Sequence, residues 1–303
     1  MIEVGLGGAC LKRCLMCATT FDGDCWSCPA CGFAPTKVAG IPSFAPELAE
    51  GGEGFEDRYF QELAKLEADN FWFRARNHLI LWALKKYFGN AHNLLEIGCG
   101  TGFVLSGIAA AFPAMQLTGS EISVNGLGHA ARRIPRARFF QMDARTIPYV
   151  AEFDVIGAFD VIEHIKQDEV VMTQLFAALK PGGGLLLSVP QHESLWSQTD
   201  EHARHVRRYS AADLNAKVTR AGFDVLRLTS FVSLLLPLMF ASRYSQRKVR
   251  EDYDVMAELR LNRAVNFVLE KILDLERCLI RLGVKFPFGG SLLLVARKPL
   301  TKC

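Results

Sequence analysis

The amino-acid sequence predicts an α/β fold organised around a doubly wound, mostly parallel sheet. From residue 93 to residue 229, short apolar runs alternate with segments of helical periodicity. Strands that alternate with helices imply right-handed crossovers, which cover both faces of a parallel sheet with helices. A glycine-rich loop within LLEIGCGTGF, at 94–103, joins the first of these runs to a helical segment. Doubly wound sheets bind ligands beyond the carboxyl ends of their strands, so this loop marks the expected binding edge.

Seven apolar runs are the predicted strands of this sheet. Six of them lie in the alternating region, and the seventh follows after a long helical segment that is predicted to be an insertion. In chain order, the runs read NLLEIG, QLTGSEI, RFFQM, FDVIGAF, GLLLSV, FDVLRLT and SLLLVARKP.

Length and composition restrict the architecture and the partners. A chain of 303 residues that is 50% apolar and 22% charged can bury one large core and carry additions. A net charge of +3 does not demand nucleic acid or an anionic surface as a partner. The first residues, MIEVGLGGACLKRC, lack the apolar core of an export signal, so a cytoplasmic location is expected.

Changes in composition divide the chain into five parts. Six of the nine cysteines lie near the start, a stretch rich in Pro and Gly follows, and helical periodicity then begins. The predicted parts are a Cys-rich module at 1–36, a linker at 37–54, an N-terminal helical lid at 55–90, a core at 91–230 and 289–303, and a helical insertion at 231–288.

The glycine-rich loop favours a ligand with a cationic group over a phosphate. Gly98, Gly100 and Gly102 leave the main chain bare for a ligand. A dinucleotide fingerprint would read GxGxxG and would bring a pyrophosphate to the start of the helix. Here the third glycine arrives one residue early, and Glu96 precedes the first. A carboxylate is unfavourable beside an anion and favourable beside an amino group.

Acidic residues follow three further strands at the same edge. Glu121 ends the second strand, where a carboxylate can accept both hydrogen bonds of a ribose diol. Asp143 follows the third strand and suits the exocyclic amine of adenine, and Asp160 follows the fourth. An adenosine with an amino-acid tail and no phosphate matches this edge, so S-adenosylmethionine is the expected cofactor.

Several motifs, taken in this order, resemble those of the class I S-adenosylmethionine-dependent methyltransferases. They are EIGCGTG, the Glu121 position, MDA at 142–144, FDVIGAFDVIEHI at 153–165 and LKPGGGLLLSVP at 179–190. The resemblance implies a seven-stranded Rossmann-like sheet whose last strand is antiparallel. It also implies the cofactor contacts: the methionine moiety at Gly98, Gly100 and Gly102, its amino group near Glu96, the ribose at Glu121, the adenine at Met142 and Asp143, and Asp160 beside the cofactor.

The expected reaction needs alignment more than acid–base chemistry. A sulfonium is already an activated electrophile, so the protein has to align a nucleophile and exclude water. A hydroxyl nucleophile would benefit from a base or a metal. The family's marker for amino nucleophiles is absent after the fourth strand, which reads AFDVIEHI, and the Pro-Cys pair of cytosine C5 enzymes is absent near Pro190.

The DVIEHI motif carries candidate catalytic residues. Asp160, Glu163 and His164 stand at i, i+3 and i+4, which would put them on one face of a helical turn. They could bind a divalent cation, since the spacing is similar to the acid-x-x-Glu-His of ubiquinone-pathway and small-RNA 2′-O-methyltransferases. Alternatively, Glu163 and His164 cap a helix and bond to the loop, or His164 acts as a general base without a metal.

A second polar segment, QHESLWSQTDEHARHVRRYS at 191–210, follows the fifth strand at the same edge. His205 is the candidate catalytic residue of this segment, and similar methyltransferases place acceptor contacts here. Ser210 and Asp213 predict a capping box for the next helix. The alternative is a solvated polar loop without a function.

The cysteine spacing predicts a structural zinc site. CLMC and CPACGF contain two CxxC pairs, which give Cys14, Cys17, Cys28 and Cys31 as tetrahedral ligands. Cys25 could exchange with one of them, and disulfides are the alternative. The module resembles a zinc ribbon and needs the metal to fold. Its basic residues are Lys12 and Arg13, against three acids, so nucleic acid is an unfavoured partner.

The segment NFWFRARN at 70–77 is predicted to close over the cofactor as a lid. Trp72 and Phe73 would exclude water, and Arg76 would lie near the methionine carboxylate. The alternative is simple packing of this segment against the sheet.

The insertion is predicted to form a cap on the acceptor side. FVSLLLPLMFA at 231–241 is apolar and precedes several basic residues, so 231–250 could contact an anionic membrane surface. A helix over 257–282 carries an apolar stripe that must be covered, either within the chain or by a second copy in a homodimer. The stripe consists of Leu261, Val265, Val268, Ile272, Leu275, Leu279 and Leu282.

These patterns favour an S-adenosylmethionine-dependent methyltransferase acting on a small-molecule or lipid-linked acceptor, by O-methylation where the acceptor is a hydroxyl. The location would be cytoplasmic, with peripheral contact to a membrane. An RNA methyltransferase that uses the zinc module and a non-catalytic S-adenosylmethionine-binding scaffold are the alternatives.

Overall fold

The structure is a computed structural model that describes residues 11–23, 25–49, 57–245, 256 and 259–300. Its strands, in chain order, are β1 (Lys12–Arg13), β2 (Thr20–Phe21), β3 (Thr36–Val38), β4 (Ile41–Ser43), β5 (Asn93–Ile97), β6 (Gln116–Glu121), β7 (Arg138–Gln141), β8 (Phe153–Phe159), β9 (Leu179–Pro190), β10 (Asp224–Phe231) and β11 (Ser291–Arg297).

The α-helices connect these strands and form the insertion. They are α1 (Asp57–Leu66), α2 (Phe71–Phe88), α3 (Phe103–Ala111), α4 (Val124–Arg133), α5 (Asp168–Ala178), α6 (Gln198–His202), α7 (Ala211–Arg220), α8 (Leu236–Ser245) and α9 (Arg263–Arg281).

The main sheet has the order β10-β11-β9-β8-β5-β6-β7-β4-β3. β5 pairs in parallel with both β6 and β8, and the order reverses there, so the glycine-rich loop after β5 lies at the switch point. β11 runs antiparallel between β9 and β10. The predicted doubly wound, parallel-dominated α/β fold is confirmed, although the described part of the sheet has nine strands where the sequence predicted seven.

The two extra strands come from residues expected to be a linker, apart from Thr36, which was assigned to the cysteine module. β3 and β4 form an antiparallel hairpin, and Ser43 pairs in parallel with Gln141 of β7. The Gln141 side chain is fully buried and joins the two parts: it accepts from the Ser43 hydroxyl at 2.7 Å and donates to the Ala45 and Ile122 carbonyls. Part of the predicted linker therefore belongs to the sheet.

The cysteine module packs near β7, at the same edge of the sheet as the β3–β4 hairpin. The Arg13 amide donates to the Pro148 carbonyl at 3.1 Å. The Trp26 ring lies edge-on against three aromatic rings, with centroids 4.7 Å from Phe44, 5.2 Å from Tyr149 and 5.7 Å from Phe140. Aromatic contacts of this kind add about 0.5–1.5 kcal/mol each beyond the area that they bury. The module is thus anchored beside β7.

Helices cover both faces of the sheet, as the strand–helix alternation predicts. Residues of α2, α3 and α9, including Ile80, Leu105 and Leu273, pack on one face. Residues of α5 and α7, including Leu175 and Leu214, pack on the other. The two apolar layers hold β5 and β8 rigidly between them, which fixes the strand ends that carry the site.

The helix α9 buries a face other than the predicted apolar stripe. Its buried residues are Glu270, Leu273, Glu276 and Ile280, whereas five residues of the stripe are exposed, namely Leu261, Val265, Val268, Leu275 and Leu282. The carboxylate of Glu276 accepts from the amides of Val232, Ser233 and Leu234, at 2.6, 2.6 and 2.8 Å. Glu270 pairs with Arg74 at 2.9 Å. The buried face of α9 therefore contains two carboxylates, and partners from other segments make their burial possible.

The membrane contact at 231–250 and the dimer contact at 257–282 stay predictions. The basic residues Arg247, Lys248 and Arg250 lie outside the described residues. Within the described ranges, no helix combines the length and the apolar character that crossing a bilayer requires.

Candidate cofactor and active site

The glycine-rich loop between β5 and α3 has a backbone that favours glycine. Gly98, Gly100 and Gly102 have φ of +64°, +51° and +78°. A Cβ on Gly98 would lie 2.4 Å from a Val161 methyl, and one on Gly102 would lie 2.9 Å from Ala130 Cβ. A Cβ on Gly100 would meet a single atom of the described structure within 4 Å, Phe60 Cε1 at 3.8 Å. Gly98 and Gly102 thus allow close packing, while Gly100 faces open space along the cavity.

Glu121, at the end of β6, holds this loop. Its carboxylate accepts from the Gly100 amide at 2.9 Å and from the Ile122 amide at 2.8 Å. Both residues line the same cavity. The predicted ribose acceptor therefore lies at the loop, beside the space that the cofactor would occupy.

Glu96, on β5, is a buried carboxyl group with an unsatisfied oxygen. Its side chain lines the cavity, and Oε2 has no hydrogen-bond partner among the described residues. Burial raises the pKa of Glu96 to about 8, against the opposing charge of Arg76. A cationic amino group would satisfy this oxygen and favour its ionised form. The orphaned Glu96 oxygen and the open space at Gly100 fit the amino-acid tail of S-adenosylmethionine.

Met142 and Asp143, after β7, line the cavity next to this loop. Met142 is buried, and its amide donates to the Glu121 carbonyl at 3.3 Å. The carboxylate of Asp143 accepts from Arg145 Nε at 2.8 Å and from the Arg145 amide at 2.8 Å. Arg145 therefore orients the Asp143 carboxylate, which the family resemblance assigns to the adenine amine. The sequence analysis did not predict this role of Arg145.

The segment 70–76 contributes a wall of the same cavity. Asn70, Trp72, Phe73 and Arg76 all line it. The Arg76 guanidinium forms an ion pair with Asp160 and lies over the Trp72 ring, 4.4 Å from its centroid. Phe73 is buried. Closure of this segment over the cofactor stays a prediction.

Glu67, just after α1, is a further residue that the sequence reading missed. Its buried carboxylate accepts from the Thr101 hydroxyl at 2.7 Å and pairs with Arg133 at 2.5 Å. It ties the N-terminal helices to the glycine-rich loop and to α4. No motif surrounds Glu67, so its role follows from packing alone.

The predicted catalytic residues separate into two groups. A 3₁₀ helix begins at Ile162, so Asp160 precedes it, with a left-handed backbone (φ +57°). The prediction that Asp160, Glu163 and His164 share one helical face is therefore wrong for Asp160, whose carboxylate pairs with Arg76 instead. The structure gathers Glu163 and His164 with His205, and one ligand atom from each lies within 4.8 Å of the others.

His205 is oriented by a buried carboxylate. Its Nδ1 lies 2.8 Å from Asp200 Oδ1, and Arg208 pairs with both Asp200 oxygens at 2.8 and 2.9 Å. Hydrogen bonds from His205 and Arg208 lower the pKa of Asp200 to about 2, although burial alone would raise it. The carboxylate is thus anionic at neutral pH and favours the His205 tautomer with the proton on Nδ1.

His164 and Glu163 lie in a drier environment. Burial and the neighbouring His205 lower the pKa of His164 to about 3, so its imidazole is neutral at pH 7. Burial and the charge of Asp160 raise the pKa of Glu163 well above its usual range. The role of His164 as a general base stays a prediction.

One cavity of about 750 Å³ is lined by the cofactor candidates Glu96, Gly100 and Glu121 and by the catalytic candidates Glu163, His164 and His205. The glycine-rich loop and the acidic strand ends line one part. The insertion supplies a mostly apolar wall elsewhere, with Leu235, Leu238, Met239, Met256, Leu259 and Leu269. The site thus combines a polar cofactor region with an apolar region large enough for a second molecule.

The four predicted zinc ligands lie together in the cysteine module. The Sγ atoms of Cys14 and Cys31 are 3.5 Å apart, those of Cys17 and Cys28 are 3.6 Å apart, and all four lie within 4.8 Å of one another. Tetrahedral Zn–S bonds of about 2.3 Å require sulfur atoms about 3.8 Å apart. The cluster is compatible with zinc. Cys25 is exposed and not part of it, and Cys10 lies outside the described residues.

The switch-point glycines, the acidic strand ends and the orphaned Glu96 define a Rossmann-like S-adenosylmethionine-dependent methyltransferase. Residues 57–228 match the family model described as a methyltransferase domain, which is more than half of the chain, and the protein belongs to this family.

Individual relatives agree with this family. A Mycolicibacterium smegmatis protein named "Probable S-adenosylmethionine-dependent methyltransferase" is 29% identical over 53% of this chain, which spans 62% of that protein. Malonyl-acyl-carrier-protein O-methyltransferase of Halalkalibacterium halodurans is 25% identical over 65% of this chain and 75% of its own length. The solved Haemonchus contortus phosphoethanolamine N-methyltransferase 2 with S-adenosyl-L-methionine has the same fold, with a TM-score of 0.54 and 19% identity over 80% of this chain and 57% of its own.

Proposed function

We propose that this methyltransferase methylates an oxygen atom of an apolar small-molecule or lipid-linked acceptor. The proposal rests on one observation: the glycine-rich loop and the apolar wall from the insertion line the same cavity. An acceptor seated on Leu235, Met239 and Met256 would share that space with the cofactor. Apolar walls of this kind supply affinity, and a few polar groups supply orientation.

The chain's own residues would align the reaction. Bound S-adenosylmethionine supplies a methyl group whose bond to sulfur breaks as a bond to the acceptor oxygen forms, which leaves S-adenosylhomocysteine and the methylated product. Glu96 and the glycine-rich loop would hold the amino-acid tail, and Glu121 the ribose. A hydroxyl acceptor also loses a proton to water, whereas a carboxylate acceptor carries none at neutral pH.

Oxygen is favoured as the methylated atom for two reasons. The markers of amino nucleophiles and of cytosine C5 chemistry are absent from this sequence. In addition, one relative is named as an O-methyltransferase of malonyl-acyl-carrier protein, an acyl group on a carrier.

RNA is a less favoured acceptor. Lys12, one of two basic residues in the cysteine module, is buried, and its Nζ donates to the Cys25 carbonyl at 2.9 Å. A buried ammonium cannot contact phosphates, so the module has a weaker basic surface than its sequence indicates.

The proposal predicts that Met239→Glu abolishes methyl transfer while cofactor affinity is retained, because a carboxylate would enter the apolar wall. Methyl transfer from labelled cofactor to fractionated lipids, small metabolites and RNA measures turnover, and calorimetry measures cofactor affinity. Val170→Glu is the matched control, because Val170 is 45% exposed on α5 and does not line the cavity. Transfer to RNA alone, or turnover unchanged in Met239→Glu, would refute an apolar acceptor.

We also propose that the cysteine module binds a structural zinc ion. Purified protein is expected to contain about one zinc per chain, because four thiolates at tetrahedral spacing close a structural site. Cys14→Ser and Cys31→Ser should lose the metal, whereas Cys25→Ser should keep it, since Cys25 is not part of the cluster. Elemental analysis measures the content, and zinc-free protein prepared without chelators would contradict the assignment.

A further inference from the structure

We propose that Gln141 is a positioning residue, through which residues 41–49 hold the two strand ends that bind the adenosine half of the cofactor. Gln141 ends β7, directly before Met142 and Asp143, to which the family resemblance assigns the adenine. Glu121, the assigned ribose contact, pairs with Gln141 across β6 and β7. This role concerns cofactor binding alone and does not depend on which acceptor is methylated.

The side-chain amide of Gln141 uses its full hydrogen-bonding capacity. Its Oε1 accepts from the Ser43 hydroxyl at 2.7 Å and from the Ala45 amide at 3.1 Å. Its Nε2 donates to the Ala45 carbonyl at 2.8 Å and to the Ile122 carbonyl at 3.0 Å. A carboxamide offers two donor hydrogens and two acceptor lone pairs, so all four are used. Since the Ala45 amide can only donate, it fixes which end of the carboxamide is the oxygen.

The bond to Ile122 connects this side chain to the ribose side of the site. Ile122 directly follows Glu121, and the Ile122 amide donates to the Glu121 carboxylate at 2.8 Å. The same carboxylate accepts from the Gly100 amide at 2.9 Å. Gln141 therefore restrains the backbone that orients the predicted ribose contact, while its own backbone leads into the predicted adenine contacts.

The same N-terminal segment adds backbone bonds to these strand ends. The Phe44 amide donates to the Gln141 carbonyl at 2.8 Å, and the Val124 amide, at the start of α4, donates to the Ala49 carbonyl at 3.3 Å. The match to the family model begins only at residue 57. This chain therefore supports its cofactor site with residues from outside the matched domain.

Burial makes the carboxamide difficult to replace. Gln141 is 0% exposed and Ser43 is 1% exposed. An apolar side chain at position 141 would leave polar groups of Ala45 and Ile122 without these bonds, and a buried group without a partner costs more than the bond itself contributes. The ends of β6 and β7 would then shift relative to each other, and the ribose and adenine contacts would shift with them.

Calorimetry with two ligands tests this role in the full chain. S-adenosylmethionine reports on the whole cofactor site, whereas 5′-methylthioadenosine contains the adenosine and lacks the amino-acid tail. We expect Gln141→Met to lower the affinity for both ligands by about tenfold. Ser43→Ala removes one of the four bonds, so it should lower both affinities by a smaller factor of about threefold.

Asn93→Leu is the matched control, because Asn93 is a buried amide that joins two strands at the opposite end of the sheet. Its Nδ2 donates to the Glu152 carbonyl at 2.9 Å, and its Oδ1 accepts from the Asp154 amide at 2.7 Å. This variant should lower the melting temperature, as Gln141→Met does, yet keep both affinities at the wild-type values. A loss of stability alone would therefore not reproduce the expected result.

Three outcomes would overturn the role of Gln141. The first is wild-type affinity for both ligands in Gln141→Met, and the second is an equal loss of affinity in Gln141→Met and Asn93→Leu. The third is a loss for S-adenosylmethionine with unchanged affinity for 5′-methylthioadenosine, which would place the effect at the amino-acid tail. If Gln141→Met does not fold, Ser43→Ala decides, and unchanged affinities in that variant would refute the proposal.

Discussion

Replacing Gly100 by Asp is expected to lower the affinity for S-adenosylmethionine by more than about a hundredfold, or roughly 3 kcal/mol. The Gly100 amide donates to Glu121, and open space lies where a Cβ would project. An Asp side chain would occupy cofactor space and bring a second negative charge beside Glu121. The φ of +51° adds strain for a residue with a Cβ. Calorimetry measures the affinity.

Gly128→Asp provides the control for this variant. Gly128 lies on α4, where a Cβ would meet a single described atom within 4 Å, the end of the flexible Arg132 side chain. Both variants should have circular dichroism spectra like the wild type. Wild-type affinity in Gly100→Asp would contradict the assignment of the glycine-rich loop to the cofactor.

Cofactor affinity is expected to rise with pH between about 6 and 7.5, by up to about tenfold per unit. The pKa of Glu96 is raised to about 8 in the free protein, so below that pH the carboxyl group is mostly protonated. An ammonium ligand favours the ionised carboxylate. Binding must therefore release a proton, and this requirement weakens binding more as the pH falls.

Calorimetry in two buffers of different ionisation enthalpy measures the released proton directly. At pH 6.5 we expect nearly one proton per cofactor bound in the wild type and almost none in Glu96→Gln. That variant should bind more weakly at pH 7.5 and lose most of the pH dependence. Proton uptake, or equal release in both proteins, would show that Glu96 does not contact the amino group.

Much of the cofactor region could be predicted from sequence because it depends on local patterns. Apolar runs that end in Gly or in an acid identify strands and their carboxyl ends, and parallel strands bring those ends to one edge. Glu96, Gly100 and Glu121 therefore line one cavity, as expected. Glu67 was not predicted because its partners, Thr101 and Arg133, are distant in sequence. Arg145 was not predicted because no motif indicated that it binds Asp143, two residues before it.

The arrangement of residues on the acceptor side could not be predicted from the sequence, because it depends on contacts between distant segments. His205 approaches Glu163 across a loop, and the Arg76–Asp160 ion pair joins α2 to the end of β8. The apolar stripe of α9 is largely exposed in this chain. The helix buries another face, on which backbone amides stabilise Glu276 and Arg74 stabilises Glu270. Hydrophobicity cannot anticipate a carboxylate whose partners come from another segment.

The hairpin β3–β4 has a consequence for the behaviour of the whole molecule. Without it, the Gln141 end of β7 would lose its strand partner, and its backbone groups would join the sheet edge beside the aromatic side chains of Phe140 and Tyr149. Such an edge is a template for strands of other molecules and promotes aggregation. A chain that began at residue 57 would keep the residues that match the family yet expose this edge. We expect such a chain to aggregate more readily than the full chain, an effect separate from methyl transfer.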